Sequence, residues 1–136
     1  MIQRIQSVWL LLASACAFLS LKLPFYSGTQ SKGLQYEALT GSSGILLLLI
    51  TVIIGLLALF TIFIYKKRID QQRLCIAGIF LEALLIYIYF REISGFTTGT
   101  YSLTAILQSG VLLFFVLAIR GINTDEKLVK DSNKLR

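Results

Sequence analysis

Glu82 is the residue whose type and position give this sequence its clearest chemistry. It lies at the centre of the segment "RLCIAGIFLEALLIYIYFR", where no other charged residue stands between Arg73 and Arg91. An ionisable side chain in so apolar a segment is costly in a membrane and indicates a functional site, such as one that binds a proton or a cation. Apolar surroundings disfavour a charged carboxyl group, so a neutral Glu82 hydrogen-bonded to another helix is the structural alternative. We favour this structural role, because no second polar helix completes a path.

The residue types of this sequence do not support a catalytic function. The sequence has no histidine, which removes the commonest acid/base catalyst. A CxxC pair, an HExxH helix, a phosphate-binding glycine loop and a GxSxG turn are all absent. Cys16 and Cys75 fall in apolar stretches at different predicted depths, which indicates packing thiols rather than a disulfide. We therefore expect a non-enzymatic protein with no catalytic residues, no metal site and no cofactor.

The composition requires that most of the chain lies in lipid. The 136 residues are 56% hydrophobic and 15% charged, far too apolar for a soluble domain of this size. Apolar windows at about 6–23, 45–65, 74–90 and 101–119 each approach the roughly 20 residues that a helix needs to cross a bilayer. We predict an all-α membrane protein, a four-transmembrane-helix bundle that forms a single integral membrane domain over residues 1–136.

The segments outside these helices predict little further structure. The long first connection, about 24–44, is expected to be an irregular solvated loop, with a small β-hairpin as the alternative. The Gly/Thr-rich "SGFTTGT" before the fourth helix predicts a turn. The tail, 120–136, predicts a short cytoplasmic amphipathic helix with Asn123 or Thr124 as its N-cap, and a frayed tail is the alternative.

The distribution of lysine and arginine predicts the orientation in the membrane. These charges resist translocation and stay on the cytoplasmic side. Of the thirteen, three fall in the connections predicted to be outside, namely Lys22, Lys32 and Arg91, and the other ten fall at the two termini and in the central connection. We therefore predict that both termini are cytoplasmic. The formal net charge of +6 is explained by this topology and indicates no nucleic-acid partner.

Helical periodicity and depth predict the neighbours of Glu82. A step of about 100° per residue places five residues on one face of the third helix: Cys75, Gly78, Glu82, Ile86 and Tyr89. By depth, Ser14 on the first helix lies level with Glu82, and Gln108 on the fourth lies slightly further out. We predict an intramembrane polar site made of Glu82, Gln108 and Ser14, in which the latter two are the nearest hydrogen-bond partners.

Three segments of the chain resemble a known family. The N-terminal "MIQRIQSVWLLLA", the central "KKRIDQQRLC" and the C-terminal "AIRGINTDEKLVKDSNKLR" are similar to the Bacteroidota family catalogued as domain of unknown function 4293 (DUF4293). Its members are small integral membrane proteins with four predicted helices. The resemblance covers essentially the whole chain and implies a bacterial inner-membrane location. It implies no activity and supplies no functional residues.

The resemblance also draws attention to a predicted cytoplasmic face, on which those three segments meet. Its residues are Gln3, Arg4, Gln6, Arg68, Gln71, Arg73, Arg120, Asp125 and Lys127. Such a face is expected to bind another protein or lipid headgroups, and the alternative is that these are ordinary snorkelling and capping groups. Our first functional hypothesis is an accessory or stabilising subunit of a larger membrane complex, in contact with the bilayer and with a membrane-protein partner or a second copy. The alternative is a small transporter or channel subunit in which Glu82 binds a proton or cation.

Overall fold

The structure is a computed structural model that describes residues 2–33 and 35–135, with side chains from residue 5 onward. In this part of the chain the elements, in order, are α1 (Ile2–Leu19), β1 (Pro24–Gln30), β2 (Tyr36–Thr40), α2 (Ile45–Phe63), α3 (Arg68–Ile93), β3 (Phe96–Tyr101), a 3-10 turn (Leu103–Ala105) and α4 (Ile106–Lys134).

The prediction of an all-α fold is wrong, because the connections form a three-stranded antiparallel sheet. The strand order is β2-β1-β3. β1 and β2 make a hairpin, which was the alternative to the irregular loop expected in the first connection, and β3 occupies the segment predicted to be a turn. The sheet pairs main-chain groups that two long connections would otherwise leave to water. Gly28 and Gly99 face each other across β1 and β3, and a Cβ on either would collide with the opposite strand, so these glycines permit the pairing.

The four helices of the described chain are antiparallel and pack in a ring, each against the next and α1 against α4. The sheet joins the α1–α2 connection to the α3–α4 connection, so it lies at one end of the bundle, here called the sheet end. The start of α1, the end of α4 and the α2–α3 turn lie at the other end, here called the termini end. Close packing depends on small residues: an ideal Cβ on Gly55 would lie 2.8 Å from the Phe18 ring.

Three helices of the described chain are long and apolar enough to span a membrane. They are α2, α3, and α4 with its preceding turn, and α1 contributes the shorter apolar stretch Ile5–Leu19. Their outward faces carry large apolar side chains, such as Phe80, which is 72% exposed. Exposure of this kind is compatible with a membrane protein, whose lipid-facing surface is apolar.

The C-terminal segment does not form the separate helix that the sequence predicts. α4 continues without a break to Lys134, and Thr124 bonds back to the Arg120 carbonyl oxygen at 2.9 Å as an interior residue. Gly121 does not end the helix. An ideal Cβ at this position would lie 2.9 Å from Cγ of Gln6. Close packing against α1, rather than chain flexibility, accounts for this glycine.

Candidate functional site

Three polar side chains are buried in the half of the bundle nearest the sheet. Glu82 and Tyr89 on α3 are fully buried, and Gln108 on α4 is 2% exposed. Both carboxyl oxygens of Glu82, the hydroxyl of Tyr89 and both amide atoms of Gln108 have no hydrogen-bond partner within the described residues. Buried polar groups are nearly always hydrogen-bonded in folded proteins. These three side chains are therefore the candidate functional site of the described chain.

Gln108 lies between Glu82 and Tyr89 along the bundle axis. Gly78 on α3 faces Phe115 on α4, since an ideal Cβ at Gly78 would lie 2.7 Å from that ring. Taking about 1.5 Å of rise per residue from this shared level, Glu82 lies about 6 Å toward the sheet, Gln108 about 10 Å and Tyr89 about 16 Å. These three residues, here called the polar column, thus form a series from mid-bundle to the sheet.

The sheet packs against the end of the polar column that lies nearest to it. Phe25 on β1 is buried and stacks on Tyr89, with 4.4 Å between ring centroids and 16° between ring planes. Tyr26, the next residue, packs edge-on against the rings of Phe96 and Tyr101 on β3. Stacked and edge-on aromatic pairs add to the stability that area burial provides. The strands are thereby attached to α3 directly above the polar column.

A cleft of about 340 Å³ opens between α3 and α4 under the sheet. Gln108 and Ser109 line it at the end away from the sheet, and Phe25 lines it at the sheet, whereas Glu82 and Tyr89 are not among its lining residues. Phe90 and Ile106 line it on the two helices and are 53% and 70% exposed. Because these two side chains lie on the outer surface of the helices, the cleft, here called the lateral cleft, faces the side of the bundle.

No positively charged side chain of the described residues forms an ion pair with Glu82. The ion pairs within the described residues are Arg73 with Asp70 at 3.9 Å and Lys130 with Glu126 at 2.8 Å, both at the termini end. The site therefore offers oxygen acceptors and one amide, and supplies no positive charge of its own.

The third residue predicted for this site, Ser14, is buried on α1 with 3% exposure. The hydrogen bonds that the sequence suggested between Glu82 and either Ser14 or Gln108 are not made within the described residues. Tyr89 was on the predicted stripe of α3 but not among the predicted site residues. Its spacing of seven residues from Glu82, two helical turns, is the signal that could have included it.

Some residues of the predicted cytoplasmic face make hydrogen bonds between helices, and others are exposed. Gln6 on α1 donates a hydrogen bond to the buried carboxylate of Asp125 on α4. Arg68 on α3 donates to the main-chain oxygen of Asp125 at 3.3 Å, and Gln71 donates to that of Thr61 at 3.3 Å. These contacts connect all four helices at the termini end, so these residues act in packing.

The remaining residues of that face are more exposed. Arg73, Arg120 and Lys127 are all exposed, and Arg73 pairs only with its own helix. The side chains of Gln3 and Arg4 lie outside those that the structure describes. The sequence did not indicate a further contact at this end, the hydrogen bond of 2.9 Å from Gln72 to Asn123, since an interhelical pair of amides leaves no periodic pattern.

Binding of a metal ion has little basis in these residues. Within the described chain no three His, Cys, Asp or Glu side chains come together, and Cys16 and Cys75 are free thiols. The polar column offers four oxygen atoms, two from Glu82 and one each from Gln108 and Tyr89. The arrangement can accept a proton or accept hydrogen bonds from a cationic group.

Comparison with known proteins gives a family match. A family model described as a domain of unknown function (DUF4293) matches residues 2–135, which include all the helices, the sheet and the polar column. The match confirms the resemblance that the three sequence segments indicated. No curated protein and no solved structure gives a significant match.

Proposed function

Because the chain belongs to the DUF4293 family, whose description gives no activity, we propose a function from the polar column itself. We propose that the protein is a small non-enzymatic transporter or channel subunit in which Glu82 binds a proton or a cation. We assign no covalent chemistry, since the column contains a carboxyl group, an amide and a phenol but no nucleophile with an adjacent base.

One observation carries this proposal: both carboxyl oxygens of the fully buried Glu82 lack a partner within the described residues. A residue that joins helices by hydrogen bonding needs a partner on another helix. Leaving a buried polar group unsatisfied costs about 1–3 kcal/mol. A site that exchanges a proton or cation accounts for that cost, because the partner is present in only part of the cycle.

We further propose that the protein resides in the inner membrane of Bacteroidota with both termini in the cytoplasm. Of the twelve Lys and Arg residues in the described part of the chain, nine lie at the termini end and three at the sheet end, which supports this orientation. Single cysteines at Lys32 and Lys130, in a chain with Cys16 and Cys75 replaced by alanine, test it. In intact cells an impermeant maleimide should label position 32 and leave position 130 unlabelled. The reverse pattern would contradict the orientation.

Proton binding by Glu82 can be tested with dicyclohexylcarbodiimide, an apolar reagent that modifies protonated carboxyl groups. We expect modification of Glu82, read by peptide mass spectrometry on the full chain, to decrease as the pH is raised. Glu82→Gln should abolish the modified peptide. The matched variant Glu92→Gln, at the exposed end of the same helix, should leave it unchanged. Modification of Glu82 that is independent of pH would contradict the proposal.

A role in proton movement has its own test. The full chain in liposomes should dissipate an imposed pH gradient, measured with an enclosed pH-sensitive dye. Glu82→Gln keeps the shape and hydrogen-bonding atoms of the side chain but cannot titrate, so it should assemble normally and fail to dissipate the gradient. Equal activity of Glu82→Gln and Glu92→Gln would show that Glu82 is not the group that carries the proton.

The second candidate is an accessory subunit of a larger membrane complex, and the exposed end of α4 favours it. Residues 127–135 are all exposed, and they include Leu128 at 49% and Val129 at 42%. Co-purification in mild detergent should then recover a partner protein with the wild-type chain. Leu128→Asp with Val129→Asp should release it, whereas Leu103→Asp, at the sheet end and 89% exposed, should not. Recovery of the chain alone in every detergent would exclude this candidate.

A further inference from the structure

A cleft with a basic lining lies at the termini end, where α2 passes into α3. It has a volume of about 550 Å³, and its lining runs from the last residue of α2 through the turn into α3: Phe63, Ile64, Tyr65, Lys66, Lys67 and Asp70. Neither lysine side chain makes an ion pair or a hydrogen bond within the described residues. No side chain caps the first turn of α3, and the free N–H groups of such a turn favour an anion. This cleft, here called the basic cleft, therefore suits a negatively charged group.

An apolar groove of about 590 Å³ adjoins the basic cleft and runs along the outside of α2. All its lining residues are apolar, namely Ile53, Leu56, Leu57, Leu59, Phe60 and Phe63 on α2 and Leu74 on α3. Phe63 lines both the groove and the basic cleft, so the two meet at this side chain. From Phe63 the groove extends along α2 to Ile53, a distance of about 15 Å. That length is half of the roughly 30 Å hydrocarbon thickness of a bilayer, so it matches the acyl region of one leaflet.

The charges of the basic cleft and the apolar groove together restrict the chemistry of an occupant. The two lysines attract an anion and repel a cation, while Asp70 in the same lining disfavours a second negative charge. A free anion would leave the groove without a partner, and an uncharged lipid would gain nothing from the lysines. A phospholipid whose phosphodiester is its only charge has one negative charge at the membrane surface and acyl chains below it. The basic cleft and the groove follow each other in the same order.

We propose that this surface binds one anionic phospholipid of the surrounding bilayer. The phosphodiester lies in the basic cleft beside Lys66 and Lys67, and one acyl chain lies in the groove against Leu56 and Phe60, which are 54% and 60% exposed. The inference goes beyond the proposed function and does not depend on proton or cation binding by Glu82. No bond is made or broken, so the affinity comes from charge pairing and burial of apolar surface.

The experiment measures lipid binding to the full chain in a neutral detergent by native mass spectrometry. The probe is dioleoylphosphatidylglycerol, and the matched lipids are dioleoylglycerol, which lacks the phosphate, and dioleoylphosphatidylcholine, whose quaternary ammonium offsets it. We expect the phosphatidylglycerol to bind at least tenfold more tightly than either, because each nearby lysine favours an anionic headgroup roughly fivefold. An excess of inorganic phosphate should not displace it. Equal binding of the three lipids, or displacement by phosphate, would overturn the inference.

The contribution of the basic cleft is tested by replacing its two lysines together. Lys66→Gln with Lys67→Gln should weaken binding of the phosphatidylglycerol about tenfold or more. The control, Lys127→Gln with Lys134→Gln, removes the same charge from exposed positions of α4 at the same end and should bind as the wild type does. Because all four lysines are exposed, both variants should fold. Equal weakening in the two variants would show a general effect of net charge and would contradict the basic cleft as the site.

The position of the acyl chain is tested by a pair of substitutions on α2. Leu56→Trp places a large ring in the groove and should weaken binding of the phosphatidylglycerol severalfold. Leu49→Trp changes the same residue type at the same exposure of 54%, two turns away and outside the groove, and should bind as the wild type does. Equal binding by the two variants would contradict the groove as the chain site. A dimer that Leu56→Trp dissociates, with no lipid adduct on the wild type, would assign the groove to a second copy and overturn the inference.

Discussion

Gly78→Ala is the sharpest test of the packing that sets the positions of Glu82 and Gln108. A Cβ at position 78 would lie 2.7 Å from both Cε1 and Cζ of Phe115, whereas carbon atoms in contact are normally about 3.5–4.0 Å apart. The Phe115 ring is fully buried, so it has no open space to move into. The new methyl group must therefore push α3 and α4 apart by roughly 1 Å near mid-bundle, the gap between these distances.

Two opposing contributions set the expected magnitude. Overpacking a core by one methyl group costs about 1–3 kcal/mol, while replacing a helical glycine by alanine stabilises the helix by roughly 1 kcal/mol. The matched control is Gly110→Ala on α4, where the nearest atom to the new Cβ is Cε2 of Phe114 at 3.8 Å, an ordinary contact. Only the helix contribution applies there, so we expect Gly78→Ala to be less stable than Gly110→Ala by about 1–3 kcal/mol.

The assay is reversible unfolding in mixed micelles, with the free energy of unfolding taken from helical circular dichroism. Phe115→Leu, which is smaller at the contact, should restore part of the stability lost by Gly78→Ala when the two are combined. The free energy of unfolding of the combined variant should therefore fall by less than the sum of the losses in the two single variants. Equal stability of Gly78→Ala and Gly110→Ala would refute the close contact, and with it the relative levels of Glu82 and Gln108.

Three further substitutions test the other contacts that hold the site. Asp125→Ala leaves the buried amide of Gln6 without its acceptor, so the free energy of unfolding should fall by about 1–3 kcal/mol. Phe25→Ala removes the ring that stacks on Tyr89 and should cost about 3 kcal/mol, with faster hydrogen exchange in the sheet. Gly99→Val would place a Cβ 2.7 Å from a main-chain oxygen of β1, so the amides of β3 should lose their protection from exchange.

Each of these substitutions has a control at an open position, with the same residue type for Asp125 and Gly99 and another aromatic residue for Phe25. Asp131→Ala lies on the exposed end of α4, and Tyr36→Ala removes a side chain that is 74% exposed. At Gly33→Val the new Cβ would have no atom of the described residues within 4 Å. Surface changes of this kind usually stay within about 0.5 kcal/mol. If a control substitution destabilised the protein as much as its test substitution, the loss of stability would come from the change of residue type rather than from the lost contact.

Local periodicity was enough to place the α3 contribution to the site. The apolar windows gave four helical segments, and the stripe through Gly78 and Glu82 is the face that α3 buries against the bundle. Depth counting also predicts that Gln108 lies slightly further out than Glu82. What periodicity could not give is whether these side chains meet, because a hydrogen bond depends on the rotation of two helices about their axes.

The three-stranded sheet was missed, although a hairpin was the alternative for the first connection, because β3 is short and separated from β1 and β2 by a pair of helices. Gln30 of β1 pairs with Phe96 of β3 across more than sixty residues, and such a pairing has no local signature. The glycines and threonines of "SGFTTGT" also satisfy the composition of a turn, so the segment reads as a loop until its partner strand is known. The contact of Phe25 with Tyr89 could not be predicted for the same reason, because Phe25 lies in the α1–α2 connection and Tyr89 lies on α3.

The position of the sheet decides from which direction the polar column is reached. At the sheet end, Phe25 covers Tyr89 and β1 pairs with β3 above it. At the termini end, Asp125 with Gln6 and Arg68 closes the described bundle by direct contact. The opening that reaches Gln108 is lateral and has an apolar rim. Apolar side chains at such a rim gain nothing from contact with water, so the sheet leaves Gln108 accessible through the side of the bundle rather than along the bundle axis.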